Sequence, residues 1–160
     1  MNDLVIRPLR REVEARYCAG FMAASEPWLT PGFTAEPAFR DLTDPTREVH
    51  VAATGGQIAG VLILHRASPL TGYIQTVAVH PDWRGRGLGT HLMRFAGERI
   101  SRQSPNVFLC VSSFNHRAQT FYERPGCQRV GELPDFLVQG QAEIMLRKTR
   151  GPLLTFTPGK

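Results

Sequence analysis

Residues 77–90, VAVHPDWRGRGLGT, decide how this chain is read. A β-branched run stops at His80-Pro81, because proline cannot donate to a sheet ladder. Arg84-Gly85-Arg86-Gly87-Leu88-Gly89-Thr90 then bridges a strand and a helix. Glycine permits left-handed backbone angles and the close approach of a ligand. The first N–H groups of the helix, at the positive end of its dipole, form an anion site. Arg84 and Arg86 add charge, so the loop has the makings of a pyrophosphate cradle. A glycine-rich turn with solvated arginines is the plainer alternative, but alternate glycines with two arginines exceed what a turn requires. The loop is not a Walker A sequence, which ends G-K-[ST]. It is not a dinucleotide fingerprint either. Its glycines are spaced G-x-G-x-G, the window around Leu109 lacks a ribose-binding carboxylate, and the loop follows a fourth strand, not a first.

Working outward, residues 88–100 place Leu88, Leu92, Phe95, Ala96 and Ile100 on one helical face. Residues 106–112, NVFLCVS, read as a strand buried on both faces. Residues 115–122 form a short helix that Pro125-Gly126 ends. Two runs, 127–138 and 142–148, flank Gly140-Gln141 as a closing hairpin. Upstream, residues 3–7 form a strand ended by Pro8, and 10–24 carry Val13, Tyr17 and Phe21 at helical spacing. Residues 25–33 are irregular, and 34–42 form a second helix. Residues 47–53 and 57–66 are strands joined at Gly55-Gly56, and 73–79 is the next strand. The order β-α-α-β-β-β-α-β-α-β-β describes a mixed α/β sheet with crossover character in its second half. The reading is a single domain over residues 1–150 and a loose tail over 151–160.

A chain of 160 residues suits one domain. Its 42% hydrophobic and 21% charged content excludes disorder as the main state. The longest apolar stretches, such as 58–64, fall short of the about 20 residues a membrane helix needs. The start, MNDLVIRPLRR, lacks the pattern of a signal peptide. The formal net charge is +5, and only Lys148 and Lys160 among the 19 basic residues are lysines. Arginine suits an anionic ligand, while its spread along the whole chain argues against a nucleic-acid surface. Cys18, Cys110 and Cys127 form no CxxC pair, so neither a disulfide framework nor a metal site is expected. A reducing cytoplasm is the natural compartment.

Arg84, Gly87 and Gly89 make R-x-x-G-x-G. Further on, Asn115, Ala118, Phe121 and Tyr122 make N-x-x-A-x-x-F-Y, followed by Gly126. This ordered pair resembles the GNAT superfamily of acetyl-CoA-dependent N-acetyltransferases, closely over residues 72–127 and more loosely over 3–148. The resemblance implies a mixed central sheet of about six to seven strands flanked by about four helices. It implies fourth and fifth strands that splay around the pantetheine arm of acetyl-CoA, with backbone groups of Val77, Ala78 and Val79 pairing with its amides. Arg84, Gly85, Arg86, Gly87, Leu88, Gly89 and Thr90 would hold the pyrophosphate. Asn115 would contact the pantetheine side, and Tyr122 would lie near the sulfur.

The implied chemistry is direct attack of a primary amine on the thioester, with no nucleophilic cysteine. A backbone N–H near Val77 would stabilise the oxyanion, and Tyr122 would protonate the departing thiolate. The plainer roles are a packed aromatic for Tyr122 and a helix cap for Asn115. The fourth strand, where relatives place a carboxylate, reads GYIQTVAV, with Gln75 and no acid. Glu48 and His50 share one strand face and are either candidate bases or a solvated face. His80 reads as structural and Cys110 as a small core hydrophobe. Pro125 should end its helix early, and Cys127 stands where relatives carry an aromatic. Trp28, Phe33 and Phe136 would line the acceptor site together with Glu48 and Gln75, or else pack the core. Glu26 or Asp135 would attract an amine. The acceptor is a small-molecule amine or a protein amine. Neither metal, nucleic acid nor membrane is expected, and a homodimer is compatible with the family. A non-catalytic acyl-CoA-binding domain is the rival reading.

Overall fold

The structure is a computed structural model that describes residues 3–66 and 68–159. Seven strands and four α-helices realise the mixed α/β architecture. The chain divides into two compact units, the first built from the residues up to 67 plus 74–99, the second from 68–73 plus 100 onward.

The first unit opens with β1 (Val5–Pro8), α1 (Glu12–Ala23) and α2 (Ala35–Thr43). β2 (Arg47–Thr54) pairs antiparallel with β1 and with β3 (Gln57–His65). β4 (Tyr73–Val79) and α3 (Leu88–Ile100) follow. Strand alternation sorts β2 into two faces. Val49 and Val51, opposite Ile63 and Val61, pack under α1 and α2 with Cys18, Phe21, Met22 and Leu42. His50 points the other way, against Phe95 of α3 at 4.8 Å between ring centroids. Gly60 lets these layers close: a Cβ there would stand 3.0 Å from the Ala78 carbonyl oxygen and 3.1 Å from Leu92 Cδ1.

In the second unit, β5 (Asn106–Ser112) leads to α4 (His116–Glu123), β6 (Gln128–Pro134) and β7 (Ala142–Thr149). β7 lies between β5 and β6 and is antiparallel to both. The turn at 68–72 is stitched to β5. Phe108 N donates to the Gly72 carbonyl at 3.0 Å, and Ser104 Oγ donates to the Thr71 carbonyl at 3.1 Å. Gly72 has φ 95°, and a Cβ there would fall 2.0 Å from the Asn106 carbonyl oxygen, so no side chain fits.

Residues 73–79, 88–100 and 106–112 form the elements their patterns predict. The closing hairpin differs. β6 stops at Pro134 instead of running to 138, because Pro134 has no N–H to extend the ladder and Asp135 turns at φ 53°. Asp135 then accepts from Gly140 N at 2.6 Å, which closes the turn. The last residues carry a short 3-10 turn at Leu153–Thr155.

Candidate active site

The glycine loop is assembled at the end of β4. His80 N donates to the Ala59 carbonyl at 2.9 Å. His80 Nδ1 accepts from Asp82 N at 3.2 Å and caps the 3-10 turn Pro81–Trp83. Its ring stacks on Tyr17 and meets Phe21 edge-on, so His80 is structural. Gly85 and Gly87 adopt φ 73° and 80°, with open space where their side chains would be. Left-handed residues alternating with ordinary ones turn successive N–H groups to one side, which makes an anion-binding nest. His91 N already bonds the Gly87 carbonyl, but the N–H groups of the first helical residues have no intrahelical acceptor. Leu88 is buried, so its side chain anchors the start of the helix in the core. Arg86 is exposed, with its guanidinium 5.0 Å from the Trp83 ring centroid.

Arg84, expected with the rest of the loop to hold the pyrophosphate, is hydrogen-bonded within the fold. Its Nε donates to the Val79 carbonyl at 3.2 Å, and a terminal nitrogen donates to Ser25 Oγ at 2.7 Å. Ser25 is buried and donates in turn to the Phe21 carbonyl at 2.6 Å. The arginine therefore braces the cradle against the end of α1.

In the second unit, Asn115 caps α4 by accepting from Ala118 N at 3.2 Å through Oδ1. Gln119 reaches back from α4 to the carbonyls of Ser112 and Ser113, at 3.2 and 2.9 Å, and ties the helix to the end of β5. Tyr122 is half-buried, with its ring edge-on to Phe121 at 5.1 Å. Burial holds its phenol well above the ordinary range, and the Cys127 thiol pushes the same way. Tyr122 thus keeps its proton across the neutral range. The helix ends at Glu123, ahead of Pro125, and Gly126 at φ 93° closes it.

The residues expected around the acceptor are placed less uniformly. Trp28 packs against the core under α1 and α2, while Phe33 and Phe136 are exposed. Glu48 and His50 do not form a solvated face, because α3 covers it. Glu48 accepts from Arg99 at 2.6 Å and lies 3.8 Å from Arg66. His50 is buried, and desolvation lowers its pKa. Gln75 hydrogen-bonds Asp41 of α2 through its side chain, while its own Oε1 is buried without a partner. Burial raises the Asp41 carboxyl, with Arg47 opposing at 3.9 Å.

Sequence reasoning missed Asp41 and, more notably, Glu143. Glu143 is buried on β7 opposite Ser112, whose hydroxyl donates to it at 2.6 Å. The signal was present in residues 142–146, AEIML, where a carboxylate interrupts an otherwise apolar strand. Among the described residues, no group of three or more His, Cys, Asp or Glu could hold a metal ion. No helix among them is long and apolar enough to cross a membrane.

Comparison with known proteins bears on the same segments. The profile of the acetyltransferase (GNAT) family matches residues 11–126, a span that includes the glycine loop and α4. The N-alpha-acetyltransferase RimI of Mycobacterium tuberculosis is 32% identical over 127 residues, 75% of this chain and 71% of that protein. The ribosomal-protein-S18-alanine N-acetyltransferase of Escherichia coli superposes with a TM-score of 0.73 at 14% identity, over 93% of this chain and 95% of its own. An aminoglycoside 6'-N-acetyltransferase solved with coenzyme A superposes with a TM-score of 0.72 at 18% identity, over 92% of this chain and 98% of its own. At these identities the two structures speak to the fold, while the family profile covers most of the chain. The chain belongs to the GNAT acetyltransferase family.

Proposed function

We propose that this N-acetyltransferase takes its acetyl group from acetyl-CoA and delivers it to the α-amine of a protein N-terminus. The observation that carries the donor assignment is the nest at Gly85 and Gly87, opening on the start of α3 beside the exposed Arg86. Successive N–H groups and a helix dipole suit a pyrophosphate. The acceptor assignment draws on the similarity to the mycobacterial N-alpha-acetyltransferase.

Acetyl-CoA supplies an activated thioester. The chain's own residues bind and orient it and manage protons. Gly85, Gly87 and the first N–H groups of α3 hold the phosphates, with Arg86 adding charge. Arg84 holds the loop in place. Asn115 and the backbone of Val77, Ala78 and Val79 contact the pantetheine arm. Tyr122 gives the departing thiolate a proton, which it carries at neutral pH because burial raises its pKa. Direct transfer fits the cysteines, all three of which are free. Burial pushes the Cys18 thiol up to about 12 and raises Cys110 and Cys127, so none is poised as a thiolate nucleophile.

The test incubates the protein and acetyl-CoA with an alanine-initiated peptide and, separately, with an aminoglycoside, and follows acetylation by mass spectrometry. Acetylation of the peptide α-amine is expected. Acetylation of the aminoglycoside alone would overturn the acceptor class, and modification of neither would overturn the activity.

A further inference from the structure

The described residues contain two buried carboxylates, Glu14 at 7% and Glu143 at 5% exposure. They are treated oppositely. Glu14 is gripped by Arg7 at 2.8 Å and by the backbone N–H of Arg10 at 2.9 Å. Glu143 has no cation within ion-pair distance among the described residues and receives its hydrogen bond from the neutral hydroxyl of Ser112. A buried, uncompensated carboxylate costs stability. Sites that tolerate such a cost are where catalytic acids and bases are found.

The surroundings of Glu143 are polar and specific. Ser112 and Glu143 are cross-strand partners, and Cys110 lies two residues from Ser112, on the same face of β5. The Tyr73 hydroxyl and the Cys110 thiol share a hydrogen bond. These are the titratable groups that act on one another here, and none of them is cationic. The strand end that presents Ser112 is also the one Gln119 ties to α4, the helix of Tyr122. The other strand carboxylate considered, Glu48, is already held by Arg99.

We infer that Glu143, held by Ser112 at the β5–β7 pair, is the general base that takes the proton from the acceptor ammonium. This assignment rests on the acetyltransferase reading above. The ammonium nitrogen loses one proton to a Glu143 carboxylate oxygen and becomes a nucleophile. Its lone pair forms the new C–N bond as the C–S bond breaks. The leaving thiolate takes a proton from Tyr122, and the second nitrogen proton passes to solvent as the amide forms. Burial raises the Glu143 carboxyl from its ordinary value, against the Ser112 hydrogen bond, which brings it nearer the pH at which a base is effective.

The test uses the intact protein, acetyl-CoA and the alanine-initiated peptide. Glu143→Gln keeps the shape and removes the base. It should lower kcat/KM by about a hundredfold or more, abolish the acid limb of the pH–rate profile and leave acetyl-CoA affinity unchanged. It should also raise the melting temperature at neutral pH, because a buried charge is gone; loss of a merely structural residue would lower it. Ser112→Ala removes the donor that stabilises the carboxylate and should move the acid limb to higher pH. If Glu143→Gln does not fold, the Ser112→Ala shift decides the matter. An active wild type whose variants keep its pH profile overturns this assignment alone. A wild type that acetylates no amine overturns the function and this assignment together.

Discussion

The Arg84 guanidinium meets the Ser25 hydroxyl at 2.7 Å, across 59 residues of sequence. This contact fixes the cradle at the end of β4 to the segment that leaves α1. The same guanidinium takes the Val79 carbonyl. One arginine thus ties together the strand end, the loop that follows it and the segment after α1.

Arg84→Ala should therefore weaken acetyl-CoA binding through loss of loop geometry, with a stability loss of about 1 kcal/mol for the hydrogen bonds removed. Arg84→Lys should not restore it, since an ammonium lacks the planar fork that spans both acceptors. Calorimetry and urea unfolding check this. Unchanged affinity in Arg84→Ala would show that the brace does not govern the cradle.

Two glycines with positive φ should respond unequally to alanine. Gly85→Ala enters open space and pays only for its backbone conformation, about 1 kcal/mol. Gly72→Ala drives a Cβ against the Asn106 carbonyl and should cost about 3 kcal/mol or more. Urea midpoints compare the two directly, and equal losses would contradict the packing described at β5.

Tyr122→Phe should lower turnover about tenfold or more while leaving acetyl-CoA affinity intact. The phenol's raised pKa places its ionisation above the working range, so the wild type should show no alkaline loss from Tyr122 near neutral pH. Steady-state kinetics over a pH series measure both. Unchanged turnover in the variant would remove Tyr122 as the acid.

Stability should depend on Glu14 in acid. Its hydrogen bonds from Arg7 and the Arg10 N–H lower its carboxyl from 4.5 to about 2, against a smaller opposing cost of burial. The unfolded chain therefore binds the proton first. The stabilisation is complete above the unfolded value and fades as pH falls from 4.5 toward about 2. It should amount to about 2 kcal/mol after screening by the solvent that reaches Arg7. Glu14→Gln should flatten this acid limb in melts taken from pH 6 to pH 2.5, a range bracketing the ordinary carboxylate value. An unchanged limb would contradict the pairing.

Local patterns were legible in the sequence. The turn at His80-Pro81, the glycines before Leu88 and the apolar face of 88–100 each act within a few residues, and each formed the element its pattern implies. The helix cap, the plainer of the two roles open to Asn115, was legible for the same reason. Long-range partnerships were not legible. Nothing near Arg84 announces Ser25, and nothing near Glu48 announces Arg99, 51 residues away. Glu143 escaped notice because β-strand alternation signals which side chains go inward, while the neutrality of its surroundings is set by β5 and by Tyr73 at the start of β4. The end of β6 was misread because the hydrophobic run through Phe136 and Leu137 continues past Pro134, where the ladder stops.

The acetyl-CoA assignment stands on the loop at residues 84–90. Calorimetric titration of the protein with acetyl-CoA, NADH and ATP in turn, alongside the Gly87→Trp variant, decides whether it binds there. Selective micromolar binding of acetyl-CoA by the wild type is expected, lost when the tryptophan fills the nest. No binding of acetyl-CoA by the folded protein, or full binding by Gly87→Trp, would contradict it.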